Sequence, residues 1–174
     1  MANKTGVSEH GAHIGITTYG HNSSLDNSAY LVIKLSDHTE YKTFAAAVDG
    51  LLANRKEDFG TKLLDGLEKT LDEMFNVVNG ARPNTQKALI LITDGACTGC
   101  TGNAGKTRLS NLASRIKDAK IKMLMIGVGK TYDQITRFDV SAFVGREDFS
   151  ELQNYDGLLG PKLLEQMAVV CDGM

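Results

Sequence analysis

Three short segments of the sequence carry residue types that could bind a metal, undergo redox chemistry or hold a phosphate. Asp94 follows an apolar run at positions 88–93, and a carboxylate at the end of such a strand either binds a ligand or caps the next turn. Cys97 and Cys100 form a Cys-x-x-Cys pair, for which a loop disulfide, free thiols and a redox or metal role stay open. Residues 105–107 read Gly-Lys-Thr, but Cys100 stands where a phosphate-binding loop needs its first glycine.

No motif for catalysis accompanies these residues. The sequence contains no Gly-x-Ser-x-Gly and no His-Glu-x-x-His, so we predict that the chain is not an enzyme. Lys106 and Arg108 are interpreted as a solvated helix start. Asn3 and Asn22 each begin an Asn-x-Ser/Thr sequon, which would accept a glycan if the protein is secreted.

Composition narrows the choice of function class. The formal net charge of −2 argues against a nucleic-acid-binding domain, which usually carries a basic excess. No apolar run is long enough to cross a membrane, and the first twenty residues contain no signal-peptide core. The 174 residues correspond to one domain. The three cysteines are an odd number, so at least one thiol lacks a partner within the chain.

The predicted secondary-structure elements of the chain alternate between strand and helix. Alternating apolar residues predict an antiparallel hairpin from strands 13–19 and 29–35. Further strands are predicted at 88–93, 122–128 and 142–144, and helices at 39–52, 61–75, 107–118 and 158–170. This order predicts an α/β fold with a mainly parallel sheet between helix layers.

The segment Phe75 to Gly95, FNVVNGARPNTQKALILITDG, resembles the von Willebrand factor A domain, called the I domain in integrins. Collagen-binding, matrilin and integrin members are the most similar. The hairpin GAHIGITTYG, the strand IGVG and the stretch FVGREDFSEL follow the same family order, so the resemblance covers essentially residues 1–174 as one domain. It implies a Rossmann-like, doubly wound sheet, mainly parallel with one antiparallel edge strand and flanked by helices.

The resemblance also implies a metal-ion-dependent adhesion site. Thr61 would supply a hydroxyl ligand and Asp94 a carboxylate, directly or through water, to Mg²⁺, Mn²⁺ or Ca²⁺. The alternative is that both residues only cap turns. The family's Asp-x-Ser-x-Ser loop is absent from the sequence, so metal binding is expected to be weak or absent. Residues 1–10 resemble the end of the family's first helix, which predicts a truncated domain or a divergent copy that borrows a strand.

The resemblance implies a function in adhesion. We expect an extracellular matrix or cell-adhesion module, secreted as part of a longer protein, that engages a protein ligand such as collagen. The alternative is a metal-independent structural or assembly domain of a matrix protein, which would form homo-oligomers through open sheet edges. Nucleic acid and membrane insertion are not expected. In many extracellular members a cysteine at the position of Cys171 pairs with one ahead of the first strand.

Overall fold

The computed structural model of the chain describes residues 7–20, 29–53, 62–95, 97–129, 143–144 and 148–159. These residues belong to two compact units, residues 1–83 and residues 84–174. The single-domain organisation and the start within a family helix stay predictions. Residues 8–11 form bends, and Val7 and Ala12 form an isolated bridge, so no helix covers residues 7–10.

An antiparallel hairpin lies in the first unit. Strand β1 (Ile16–Tyr19) pairs with strand β2 (Ala29–Ile33), which confirms the predicted hairpin. Strand β1 begins three residues later than predicted. The ring nitrogens of His13, Nδ1 and Nε2, lie 3.4 Å and 3.3 Å from the carbonyl oxygens of Gly80 and Glu9. The imidazole therefore lies close to the backbone of two segments, one just ahead of β1 and one at Gly80.

Helix α1 (Tyr41–Ala53) contributes to the core of the first unit. Phe44 is buried with Val7 and Ile33, and the surrounding apolar side chains are Ile14, Ile16, Ala47, Val48 and Leu51. The spacing of Phe44, Val48 and Leu51 is that of one helix face, as predicted. Tyr41 is 42% exposed, because it is the first helical residue and precedes the buried stripe by one turn.

Helix α2 (Leu63–Lys69) continues into a π-helical turn at Thr70–Met74. The two segments bury a common set of side chains: Leu63, Leu64, Leu67, Thr70 and Met74. A Cβ atom at Gly66 would lie 2.8 Å from the side chain of Tyr19, so this glycine allows the helix to pack on β1. The π-helical turn ends at Met74, before the Asn79-Gly80 pair that was expected to stop the helix. A separate 3-10 helix (Val77–Asn79) follows, and Gly80, with a φ of 91°, caps that helix.

A parallel three-stranded sheet forms the core of the second unit. Its order is β3 (Ala88–Thr93), β4 (Lys122–Val128) and β5 (Phe149–Leu152). Strand β4 is buried from Met123 onward, as its apolar sequence predicted. Strand β3 is not buried along its whole length, since Ile92 is 39% exposed.

Helix α3 (Gly102–Asp118) begins five residues before its predicted start. Leu109, Leu112 and Ile116 are buried as predicted. Two hydrogen bonds close the helix: the amide of Lys120 donates to the carbonyl of Lys117 at 2.9 Å, and the amide of Ile121 donates to Ile116 at 3.0 Å. This is the Schellman pattern, in which glycine usually occupies the left-handed position. Here Lys120 occupies that position, with a φ of 53°.

The third strand of the parallel sheet differs from the prediction. Phe143 lies in a turn, and Val144 is buried outside any strand, so the strand predicted at 142–144 was wrong over these two residues. The sheet is instead continued by β5, whose first residue pairs with Met125. Ser150 and Glu151 interrupt its apolar pattern, and the pairing is made by backbone groups.

The described strands form two separately hydrogen-bonded sheets, the hairpin and the parallel three-stranded sheet. The predicted single sheet is therefore not continuous among these strands. Helices, a parallel sheet and an antiparallel pair together confirm the α/β class. Within the described part of the chain, we find no helix with the length and apolarity needed to cross a bilayer.

Candidate functional site

The turn after β3 places Asp94 at the carboxyl edge of the parallel sheet. Thr93 is only 4% exposed, and its Oγ1 accepts a hydrogen bond from the amide of Gly95 at 3.2 Å. Gly95 has a φ of 84°, in the left-handed region that glycine adopts without strain. The chain therefore turns sharply around Asp94, which is half-buried. Ligands of open α/β sheets bind at this edge.

A disulfide-closed loop follows Asp94. Cys97 and Cys100 are joined through their Sγ atoms, with their Cα atoms 5.5 Å apart, and Cys97 is only 6% exposed. Gly99, between them, has a φ of 86°. The disulfide and the left-handed conformation of Gly99 therefore constrain the backbone of the four-residue loop from Cys97 to Cys100. This loop begins three residues after Asp94.

The first turn of α3 supports this loop from the other side. A Cβ atom at Gly105 would lie 2.5 Å from the carbonyl carbon of Cys100 and would also collide with the carbonyl oxygen of Gly99. Only a residue without a side chain allows the helix and the loop backbone to approach this closely. The loop after Asp94 is therefore held by a covalent bond and by a backbone-to-backbone contact.

The neighbouring strands end at the same edge of the sheet. The amide of Gly129, directly after β4, donates to the carbonyl of Leu152 at 2.8 Å. Beyond β5, the Oδ1 atom of Asn154 accepts from the amide of Gly157 at 3.4 Å. These contacts fix the backbone beside the turn, while the carboxylate at this edge of β3 comes from Asp94.

The structure places some of the predicted site residues and leaves others undescribed. Asp94, Cys97 and Cys100 are among the described residues. Thr61, Asn3, Asn22, Cys171 and most of the predicted helix at 158–170 lie outside the described residues. Among the described residues, no three His, Cys, Asp or Glu side chains come together in a group that could hold a metal.

Sequence reasoning missed two contributors to the site, Thr93 and Gly105. Thr93 was treated as the last residue of an apolar strand, although a hydroxyl at a strand end can accept from the next turn. Gly105 was considered only as part of a phosphate-loop motif. The signal that could have identified it is a glycine inside a helix, where glycine is disfavoured without a packing reason.

Comparisons with known proteins agree with this architecture. The model of the von Willebrand factor type A domain family matches residues 1–154. Matrilin-1 of Gallus gallus is 27% identical over 168 residues, which cover 94% of this chain and 30% of matrilin-1. The chain thus spans about a third of the length of that relative.

Two solved structures show the same fold. Proximal thread matrix protein 1 from the mussel byssus, with a zinc-occupied MIDAS motif, has a TM-score of 0.70 at 21% identity and covers 95% of this chain and 36% of its own. Manganese-loaded TRAP protein of Plasmodium vivax has a TM-score of 0.62 at 16% identity and covers 92% of this chain and 61% of its own. With the family match over 154 residues, these findings show that the chain belongs to the von Willebrand factor type A domain family.

Proposed function

We propose that this chain is an extracellular matrix or adhesion module that binds a protein ligand through a divalent cation at the carboxyl edge of its parallel sheet. The observation that carries the proposal is the position of Asp94, half-buried in the turn after β3. The family match supports it, and so do two structural neighbours, one with a zinc-occupied MIDAS motif and one loaded with manganese.

The donor set suits a hard cation. Mg²⁺ prefers oxygen ligands in an octahedral shell and keeps several waters when few carboxylates are present. Asp94 would supply a carboxylate oxygen and Thr61 a hydroxyl oxygen, and a carboxylate of the partner protein would complete the shell. The cation would supply the electrostatic link between the two proteins.

Contacts on the backbone around Asp94 favour a preorganised binding site. The Thr93 hydroxyl satisfies the amide of Gly95, and the disulfide and Gly105 hold the loop that follows. A ligand residue on a backbone held this way loses less conformational freedom when it binds a cation, which preserves affinity. We infer a rigid half-site whose remaining ligands come from Thr61, water and the partner.

A second function competes with the first. No group of three or more metal-binding side chains is found in the described residues, and the printed sequence has no Asp-x-Ser-x-Ser motif. These observations favour a metal-independent structural or assembly domain of a matrix protein, which would associate through sheet edges. The two functions differ in their dependence on divalent cations.

Binding to immobilised fibrillar collagen, measured in Mg²⁺ and again in EDTA, tests the proposal. We expect binding in Mg²⁺ that EDTA abolishes and that Asp94→Asn weakens at least tenfold. The matched control is Asp49→Asn, the same chemical change at an exposed position of α1, which should leave binding unchanged. EDTA-insensitive binding, or an EDTA-insensitive oligomer with no collagen binding, would overturn the metal-dependent function and favour assembly.

A further inference from the structure

Helix α3 and the turn that follows it have an unusual charge. Residues 102–122 carry six basic side chains and one acidic side chain, although the whole chain has a formal net charge of −2. The basic residues are Lys106, Arg108, Arg115, Lys117, Lys120 and Lys122, and the acidic one is Asp118. Positive charge is therefore concentrated in one contiguous segment, while the rest of the chain is acidic.

Three of these lysines are exposed along the helix and its closing turn. Lys106, Lys117 and Lys120 are all exposed, and we call them the basic ridge. Lys106 and Lys117 are eleven residues apart, which is close to three helical turns, so both point to the same side at an axial separation of about 16 Å. Lys120 follows in the closing turn, so the ridge runs along most of the helix.

Acidic residues of the same helix do not neutralise Lys106 and Lys117. No Asp or Glu lies three or four positions from Lys106 or Lys117, so neither has an intrahelical ion-pair partner. In contrast, Lys69 and Glu73 in the first unit form such a pair at 2.6 Å. The first turn of α3 has no acidic residue, and Lys106 lies near the positive end of the helix dipole, where a cation is unfavourable.

The backbone conformation of Lys120 is unfavourable for a residue with a side chain. Its φ of 53° is at the left-handed position of the Schellman turn, where glycine is the favoured residue. A lysine here carries a backbone strain that glycine would avoid, although its charge is favourable near the C-terminus of the helix dipole. The ridge therefore contains three exposed cations. At position 106 the charge is unfavourable for the helix, and at position 120 the side chain is unfavourable for the backbone conformation.

We propose that the basic ridge binds a sulfated glycosaminoglycan chain. A linear polyanion can lie along a straight helix and neutralise cations spaced over its length. Residues 101–122 contain no Phe, Tyr or Trp, so the surface lacks the aromatic platforms on which single-stranded nucleic acids stack. The choice of a matrix polysaccharide rests on the proposed extracellular function, whereas the ridge itself does not involve a metal.

Heparin binding in EDTA tests this proposal separately from the metal site. The test variant is Lys106→Gln/Lys117→Gln/Lys120→Gln, and the control is Lys34→Gln/Lys42→Gln/Lys69→Gln, which removes equal charge from the first unit. Glutamine and lysine have similar helix propensities, so α3 should remain folded, and circular dichroism will verify this. We measure the heparin dissociation constant by calorimetry over a series of salt concentrations.

We expect the ridge variant to lose on the order of tenfold or more in affinity, with a slope of log K against log salt that is smaller by about two to three. The control variant should keep a slope close to that of the unaltered protein. Equal losses in both variants would overturn the proposal, because net charge alone would then explain binding. Tighter binding of a single-stranded oligonucleotide than of heparin would also overturn it, and so would the absence of heparin binding. Retained heparin binding combined with a failed collagen experiment would reject the metal site and leave the ridge intact.

Discussion

The contact between Gly105 and the disulfide loop gives a sharp prediction for Gly105→Ala. In an ordinary helix interior, replacing glycine with alanine stabilises a protein by about 0.5–1 kcal/mol. At position 105 the added methyl group would lie 2.5 Å from the carbonyl carbon of Cys100 and still closer to the carbonyl oxygen of Gly99. Both neighbours are backbone atoms of a loop closed by the Cys97–Cys100 disulfide, so they cannot rotate away as a side chain would.

The helix or the loop must therefore shift by roughly 1 Å, and overpacking of this kind costs about 1–3 kcal/mol. We expect Gly105→Ala to lower the free energy of unfolding by about 1–2 kcal/mol after the helix-propensity gain is subtracted. The matched control is Gly50→Ala in α1, where the added methyl meets no atom of the described residues within 4 Å. It should raise the free energy of unfolding by about 0.5–1 kcal/mol.

Urea denaturation followed by circular dichroism measures both variants. The midpoint should fall for Gly105→Ala and rise for Gly50→Ala, with similar slopes. If Gly105→Ala stabilises the protein as much as Gly50→Ala does, the close packing of α3 on the loop is refuted, and with it the argument that this packing holds the turn after Asp94.

Three further predictions follow from the same structure. Lys120→Gly should raise the free energy of unfolding by about 0.5–1 kcal/mol in a urea titration, since glycine relieves the left-handed strain at φ 53°, and should also weaken heparin binding; a loss of stability would contradict this. Cys97→Ser/Cys100→Ser should lower stability by about 2 kcal/mol, the loop-entropy value for a four-residue loop. Mass spectrometry after alkylation should find neither thiol free in the unaltered, non-reduced protein, and labelling of both would reject the disulfide. Leu124→Ala, at a residue 1% exposed in β4, should lower the free energy of unfolding by about 2–5 kcal/mol. A change under about 1 kcal/mol would mean that the cluster of Leu124, Ile126 and Val128 is loosely packed.

Most of the fold could be predicted from the sequence wherever the hydrophobic pattern was strong. The buried strand β4 and the inward face of α3 follow directly from runs and periodic positions of Leu, Ile and Met. The pattern failed where backbone hydrogen bonds decide the structure. Strand β5 contains Ser150 and Glu151, and only its pairing with β4 makes it a strand.

The beginning of α3 shows a second reason for failure. Its first turn contains Gly102 and Gly105, which have low helix propensity, so the sequence predicted a loop up to residue 107. Tertiary contact decides this segment, because Gly105 packs against the disulfide loop. Local propensity could not reveal a contact with residues 99 and 100.

The candidate site was only partly accessible from the sequence. Asp94 could be identified because it ends an apolar strand, and parallel sheets collect ligand-binding residues at that edge. The role of Thr93 could not be inferred, because its hydroxyl is committed to the Gly95 amide only once the turn has formed. Thr61 stays a prediction from family resemblance, since it lies outside the described residues.

We infer that Asp94 helps to bind a divalent cation, and thermal melts in Mg²⁺ and in EDTA test this inference. At roughly tenfold excess over the dissociation constant, a cation that binds only the folded chain stabilises it by about 1.4 kcal/mol. For a chain of this size, that corresponds to an increase in Tm of about 3–6 °C. This Mg²⁺-dependent increase should occur in the unaltered protein and in Asp49→Asn, and it should disappear in Asp94→Asn. A Tm that is the same in Mg²⁺ and EDTA, or an increase that Asp94→Asn retains, would contradict it.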